Sequence, residues 1–295
     1  MTMAQSIPSI KEALQSARQR CESVGIDRID CELILAHVLG VERMELHSRQ
    51  FQLSLEQYEL FEELISTRVT GTPTQYLIGE APFRYLTFSV GPGVLIPRPE
   101  TELLVDAAMV EIERLKASLH ANSQAVSIVD LGAGSGAIAI SIAHEARRRS
   151  LPVQVVAVEK SAEALEWLRK NIARHDVDVR VIHSDVSDAL IDVKCDIVVA
   201  NPPYVPNEAT LPKLVTENEP SVALFGGSRD GLEVPELFIA AATRLLKPGG
   251  LLVLEHFEEQ SQALEQILIH DYADISHYTD LNQRPRWLTA RRKER

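Results

Sequence analysis

Apolar positions recur along the chain in two different rhythms. Up to about residue 80 the spacing is helical. Ile10, Leu14, Ala17 and Cys21 fall on one face, and Ser9-Ile-Lys-Glu12 ahead of them carries the reciprocal pairing of a capping box. Gly25 ends that stretch. Asp27 is placed to cap a second helix through Cys31, Ile34, Leu35 and Val38, stopped by Gly40. Ser54-Leu-Glu-Gln57 is another capping box, followed by Phe61, Leu64 and Ile65.

The rhythm changes at residues 82–97. Phe83 to Val90 is rich in β-branched and aromatic residues, Gly91-Pro92-Gly93 reads as a turn, and Val94 to Pro97 follows, which predicts a β-hairpin. A helix is expected from Pro99, with Leu104, Ala108, Ile112 and Leu115 on one stripe, then a polar link over 117–124. From Val126 strands and helices alternate. Strands are expected at Val126–Leu131, Val153–Val158, Val177–His183, Cys195–Ala200 and Leu251–Glu255. Helices are expected at Ala137–Arg148, Ala162–Arg174, Pro235–Leu246 and Gln260–His270. Gly249-Gly250 reads as a turn. His277–Asp280 and Trp287–Ala290 flank Asn282-Gln-Arg-Pro285 as a closing hairpin. Repeated βα units mean a mostly parallel, doubly wound sheet covered on both faces. The expected organisation is a helical domain over 1–80, a hairpin linker over 81–98 and an α/β domain over 99–295.

Composition narrows the function classes. The 295 residues are 45% hydrophobic and 24% charged, as in an ordinary globular protein of about two domains. The formal net charge is −12, which argues against a protein that grips a phosphate backbone. The one basic run, Arg284, Arg286, Arg291, Arg292, Lys293 and Arg295, reads as a strand edge and solvated tail. Residues 1–90 hold 8 basic and 12 acidic side chains, suiting a protein-binding module better than a DNA-reading head. Aromatics at 5% make a base-stacking platform unattractive. Cys21, Cys31 and Cys195 are odd in number and scattered, so they read as small buried hydrophobes; no zinc spacing and no other metal motif is present. No signal peptide or membrane-spanning run is found, so a cytoplasmic protein is expected, or one from an organelle matrix after loss of a presequence.

The first α/β strand runs into Asp130-Leu-Gly132-Ala-Gly134-Ser-Gly136 and then a helix. Glycines there let the backbone turn sharply and approach a ligand with no Cβ in the way. The G-x-G-x-G spacing is not the dinucleotide fingerprint, so a ligand without a pyrophosphate is expected. Glu159 ends the second strand, 23 residues after Gly136, where a carboxylate can accept both ribose hydroxyls of an adenosine. Asp185 ends the third strand and can face the adenine edge.

The fourth strand ends in Asn201-Pro202-Pro203-Tyr204. Each proline lacks an N–H and fixes φ, so the loop is stiff and poor in donors. It offers two acceptors in fixed relation, the Asn201 side-chain oxygen and the Pro202 carbonyl, which suit an NH2 group. Tyr204 can lay its ring against a planar group. An amide or aniline-like nitrogen is a poor nucleophile because its lone pair is delocalised. Two acceptors can hold it partly pyramidal, aim the lone pair at an electrophile and stabilise charge building on the nitrogen.

DLGAGSG, Glu159, Asp185 and NPPY in this order resemble a class I S-adenosylmethionine-dependent methyltransferase acting on a planar nitrogen. Asp30 to Gly40, Gln75 to Gly79, Leu95 to Glu102, Glu219-Pro220 through Leu224 to Gly227, Asp230-Gly-Leu232, and Asp280-Leu to Ala290-Arg-Arg292 extend the likeness. Together they resemble the release factor glutamine methyltransferase (PrmC/HemK) family over nearly the whole chain. NPPY alone is shared with adenine-amino DNA methyltransferases; IPRPETE and the helical N-terminal domain are the specific part.

The resemblance implies a class I methyltransferase Rossmann-like fold and transfer of a methyl group from S-adenosyl-L-methionine to the glutamine amide of the Gly-Gly-Gln motif in class I peptide chain release factors. Carried over by position, Gly132, Ala133, Gly134, Ser135 and Gly136 would wrap the methionine part of the cofactor. Glu159 would bind the ribose, and Asp185 and Val186 would flank the adenine. Asn201, beside the cofactor, and Pro202 would hold the glutamine NH2 and carry the catalysis, with Pro203 and Tyr204 shaping the slot. Arg98 and Glu100 would line the entrance between domains or form a structural ion pair. The expected partner is the release factor alone, with no direct nucleic acid, no membrane and a monomeric enzyme.

Two departures stand out: Glu159 replaces the more usual Asp, and Glu255-His256-Phe257 stands where the family has Glu-Ile-Gly. The rival readings are an adenine-amino DNA methyltransferase, disfavoured by the acidic balance, and a non-catalytic binding module on the same fold, disfavoured by the intact motifs.

Overall fold

The computed structural model describes residues 7–118, 125–211 and 213–294. The chain divides into two compact units, one of residues 1–80 with 212–218 and one of the remainder.

In the first unit α1 (Ile10–Glu22) starts at Ser9. Its Oγ accepts from Glu12 N at 3.3 Å while Glu12 Oε2 accepts from Ser9 N at 2.8 Å. Asp27 caps α2 (Arg28–Leu39), and Gly40 ends it at φ 65°. A single turn, α3 (Glu45–Ser48), precedes α4 (Leu55–Val69), which opens with the Ser54–Gln57 capping box. A further short helix, α5 (Thr74–Ile78), follows. Leu14, Ala17, Cys21, Ile34, Leu35, Phe61 and Ile65 form the core. Full burial of a side chain such as Phe61 contributes about 2–3 kcal/mol. Cys21 and Cys31 are free thiols in contact, with their sulfurs 3.4 Å apart. A turn of helix at Lys213–Thr216 joins this unit from far along the chain.

The second unit begins with a two-stranded sheet of β1 (Glu80–Phe83) and β2 (Leu86–Ser89). The hairpin forms one step earlier than expected. Its turn is Arg84-Tyr85, not Gly91-Pro92-Gly93. Arg84 sits at φ 53°, and distant carboxylates hold it there: its N–H donates to Glu102 Oε1 at 2.8 Å and its guanidinium to Glu145 at 2.5 Å. A 3₁₀ turn, Pro99–Thr101, leads into α6 (Glu102–Ser118). Residues 119–124 of the expected polar link lie outside the described residues.

The alternating elements follow as β3 (Val126–Leu131), α7 (Ala137–Arg148), β4 (Val153–Glu159), α8 (Ala162–His175), β5 (Val179–His183), β6 (Cys195–Ala200), α9 (Glu233–Leu245), β7 (Leu246–Glu255), α10 (Ser261–Leu268), β8 (Tyr272–Thr279) and β9 (Pro285–Arg292). Among the described residues, seven strands form one sheet in the order β5-β4-β3-β6-β7-β9-β8. All pairings are parallel except those of β9 with β7 and β8. This is the doubly wound, mostly parallel sheet expected. Strand order reverses between β3 and β6, the place where such sheets bind ligands at the carboxyl ends of their strands. Val129, Leu131, Val198, Ala200, Leu252, Leu254 and Phe238 fill one side of the sheet.

Two expectations are corrected here. Gly249-Gly250 is not a turn but lies within β7, where Gly249 takes φ 74° and the register with β6 slips between Cys195 and Ile197. The basic run is not a solvated tail. Arg291 binds Glu111 at 2.8 Å, Arg292 binds Asp271 at 3.1 Å, and Arg286 lies 3.7 Å from Asp280. Arg295 lies outside the described residues. No helix among the described residues is long and apolar enough to cross a membrane.

Candidate active site

The loop between β3 and α7 is shaped by glycines at positions other residues resist. Gly132, Gly134 and Gly136 have φ of 70°, 54° and 84°. A Cβ at Gly136 would stand 2.5 Å from Leu168 Cδ1, whereas one at Gly134 would meet nothing nearer than Val94 Cγ2 at 4.0 Å. The loop thus packs tightly at its helix end and leaves side-chain-sized room at its middle. Glu159, at the end of β4, fixes this geometry. Its Oε2 accepts from Gly134 N at 2.8 Å and its Oε1 from Ser161 N at 2.7 Å.

Asp130 lies beneath the loop, fully buried, with Oδ2 accepting from Ala139 N at 3.1 Å and Oδ1 without a partner. Burial pushes its carboxyl up to about 7; the Ala139 bond lowers it and Glu159 raises it. Asp185 stands two residues past the end of β5. Its Oδ1 accepts from Ser187 N at 3.0 Å, and this bond, with Lys160 at 3.7 Å, holds it below the ordinary Asp value against desolvation.

A cavity of about 220 Å³ opens over these residues. Gly132, Ala133, Gly134, Ser135, Glu159, Asp185 and Val186 line it, and so do Asn201 and Pro203. Of the remaining expected residues, Gly136, Pro202 and Tyr204 adjoin these in sequence but are not themselves among the residues that line it. Arg98 also lines the cavity, but its ion pair is with Glu219 at 2.5 Å rather than with Glu100. Glu219 accepts from Ile96 N as well, at 3.2 Å, which fixes the IPRPETE segment at the rim.

The segment after β2 crosses above the glycine loop as a strap, with Gly93, Val94 and Leu95 facing the cavity. Trp167 on α8 fastens it, its Nε1 donating to Pro92 O at 3.1 Å. Gly91 lies so close to this indole that a Cβ there would be 2.5 Å from Cζ2.

Asn201 follows β6, and its Nδ2 donates to Thr101 Oγ1 at 3.1 Å. Thr101 donates to Glu255 Oε2 at 2.7 Å, and the Tyr204 hydroxyl to Glu255 Oε1 at 2.9 Å. Burial pushes the Tyr204 phenol above its ordinary value, and the Glu255 charge adds to this. Gln260 Nε2 donates to the carbonyls of Tyr204 and Asp230, at 3.0 and 2.8 Å, and so holds the chain leaving the NPPY loop. Sequence reasoning assigned no role to Thr101, Glu219, Glu255 or Gln260. The first two lie in segments that carried the family resemblance, and Glu255 lies in the segment that departs from it.

The cavity therefore offers backbone curvature and carboxylates suited to a nucleoside with a positive centre. Asn201 adds an amide oxygen whose own nitrogen is already engaged by Thr101.

Known proteins resemble this chain along most of its length. The PrmC N-terminal domain family matches residues 12–79 and the Methyltransferase small domain family residues 107–218. The release factor glutamine methyltransferase of Mycolicibacterium smegmatis is 38% identical, over 96% of this chain and 98% of its own length. The proteins so named in Streptomyces coelicolor and Chlorobaculum tepidum are 37% and 36% identical, over 94% and 89% of this chain and 95% and 90% of theirs. Among solved structures, a T. thermophilus 16S rRNA N2 methyltransferase in complex with AdoMet and guanosine superimposes with a TM-score of 0.50. It is 22% identical, over 72% of this chain and 50% of that one, a likeness of fold alone.

Proposed function

The chain belongs to the release factor glutamine methyltransferase family, and from that premise we propose that it methylates the glutamine side-chain amide in the Gly-Gly-Gln motif of class I peptide chain release factors. The methyl donor is S-adenosylmethionine. The residues present fit it: Gly134 leaves a cradle that a Cβ would fill, and Glu159 and Asp185 present carboxylates to the same cavity. When bound, the donor supplies an electrophilic methyl group on a positively charged sulfur.

The roles assigned are these. Gly132 to Gly136 wrap the methionine portion, Glu159 accepts the ribose hydroxyls, and Asp185 and Val186 flank the adenine. Asn201 Oδ1 and the Pro202 carbonyl accept from the two hydrogens of the glutamine NH2, holding its lone pair toward the methyl carbon. Pro203 and Tyr204 shape the slot. Holding both reactants in line supplies much of the rate, and the acceptor dipoles stabilise positive charge developing on nitrogen. That nitrogen is strongly acidic once methylated, so its proton passes to water and no general base is assigned.

The observation that carries this reading is the seating of Asn201 on the cavity wall with its Nδ2 engaged by Thr101, which leaves Oδ1 as the free acceptor. Within the same reading, residues 1–80 bind the substrate protein, 81–98 link, and 99–295 perform the transfer. The enzyme works as a monomer in the cytoplasm, without contacting nucleic acid. The net charge of −12 and the engagement of Arg286, Arg291 and Arg292 by carboxylates support that last point.

The test offers the full chain methyl-labelled S-adenosylmethionine with a class I release factor and, in parallel, duplex DNA. Label is expected in the release factor and is lost when its Gly-Gly-Gln glutamine is replaced by alanine. Label in the DNA, or in neither, overturns the reading.

A further inference from the structure

Glu255 ends β7 with its side chain fully buried, 154 positions from Thr101, yet both its oxygens are used in one hydrogen-bond chain that reaches the cavity-lining Thr101 and Asn201. A threonine hydroxyl has a single proton. Because Thr101 commits that proton to Glu255 at 2.7 Å, its oxygen can only accept from Asn201, 3.1 Å away. The Asn201 carboxamide is then fixed with nitrogen inward and oxygen toward the cavity.

We propose that Glu255 is a positioning residue for methyl transfer: its carboxylate, acting through Thr101, sets which end of the Asn201 carboxamide meets the substrate NH2. This rests on the methyl-transfer reading above and adds to it the device that orients the acceptor.

The chain works only with Glu255 ionised. Once protonated, Glu255 itself donates, Thr101 is free to donate to Asn201 Oδ1, and the carboxamide turns its NH2 toward the substrate NH2, donor against donor. Several groups face Glu255. Thr101 and Glu100 approach from the turn before α6, Tyr204 from the loop after β6, and Arg286 from β9. Neighbouring His256 is buried, with Nδ1 on Phe257 O at 2.7 Å, and desolvation lowers it to about 4, so it is neutral here. Burial pushes Glu255 up to about 7, opposed by the Thr101 and Tyr204 hydrogen bonds and by Arg286, and assisted by Glu100. The competent ionised form therefore fills as pH rises through about 7.

The experiment measures kcat and KM on a Gly-Gly-Gln release factor between about pH 5.5 and about pH 8.5, a range that brackets this titration. The unaltered protein is expected to gain kcat as pH rises through the middle of that range. Glu255→Gln keeps the shape but puts a donor in the chain; its kcat is expected to fall about a hundredfold, with the rising limb gone and KM for S-adenosylmethionine unchanged. Thr101→Val should lose as much, and Thr101→Ser should recover most of it. A flat profile for the unaltered protein, normal kcat in Glu255→Gln, or equal losses in Thr101→Val and Thr101→Ser overturns the proposal. The wild-type profile stands as a test even if a variant fails to fold. Failure of the unaltered protein to methylate the release factor at every pH overturns instead the function on which the proposal rests.

Discussion

Asn171 on α8 closes both backbone hydrogen bonds of Ser89: its Oδ1 accepts from Ser89 N at 2.7 Å and its Nδ2 donates to Ser89 O at 3.0 Å. The same Nδ2 reaches Ser135 O in the glycine loop at 3.0 Å. One fully buried amide thus supplies the partner that the end of β2 would otherwise need from another strand, and ties it to the glycine loop that lines the cavity. Asn171→Ala strands three buried backbone groups and is expected to cost about 3 kcal/mol, since each unmet buried group costs on the order of 1 kcal/mol or more. Urea unfolding of the full chain measures this, and calorimetry should show weaker S-adenosylmethionine binding.

Asn201→Ala removes the acceptor but no group that braces the glycine loop. Turnover is expected to fall by about 100- to 1,000-fold, as when a transition-state hydrogen-bond partner is deleted, with cofactor affinity nearly intact. Methyl transfer and a binding titration on the same preparation check both halves; near-normal kcat would remove Asn201 from the reaction.

Glu159→Ala should do the reverse. It deletes the expected ribose acceptor and releases Gly134 N and Ser161 N, which Glu159 holds at 2.8 and 2.7 Å. Charge-assisted hydrogen bonds contribute about 1.5–3 kcal/mol each. A rise in cofactor Kd of about 10- to 100-fold is therefore expected, with kcat at saturating cofactor far less affected. An unchanged titration would take Glu159 out of the binding site.

Glu32 in the first unit gives a stability prediction. Burial alone would raise its carboxyl, but Arg43 at 3.0 Å, Arg18 at 2.7 Å and His47 hold it below its ordinary value of 4.5. A carboxylate with a depressed folded-state pKa stabilises fully above its unfolded value, and that contribution disappears as pH falls through the folded value. Acid titration followed by far-UV circular dichroism should show wild type losing its advantage over Glu32→Gln below about pH 4.5. At neutral pH the variant is expected to be less stable by about 1–2 kcal/mol. Parallel acid limbs for the two proteins would contradict this.

What could be read in the sequence was local. Ser9 with Glu12 and Ser54 with Gln57 are decided within one helical turn, and the alternation from Val126 onward follows directly from apolar spacing. The misplaced hairpin shows the limit. Gly91-Pro92-Gly93 has turn chemistry and Arg84-Tyr85 has none, yet the chain turns at Arg84 because Glu102 and Glu145, 18 and 61 positions away, hold it there. Likewise Asn201 was legible from its proline neighbours, whereas Thr101 and Glu255 matter through contacts spanning 100 and 154 positions. Short helices such as α3 and α5 are too brief for periodicity to register.

The fastening of the strap by Trp167 has an optical consequence. The chain holds two tryptophans; Trp287 lies stacked on Tyr278 at 4.0 Å within the β8–β9 pair, while the indole of Trp167 donates to the strap segment that roofs the cavity. A molecule settling beneath that roof is expected to change the emission of Trp167 through the strap and to leave Trp287 in its stack, which a fluorescence titration with S-adenosylmethionine measures. That change would make one indole a built-in, label-free emission probe of occupancy.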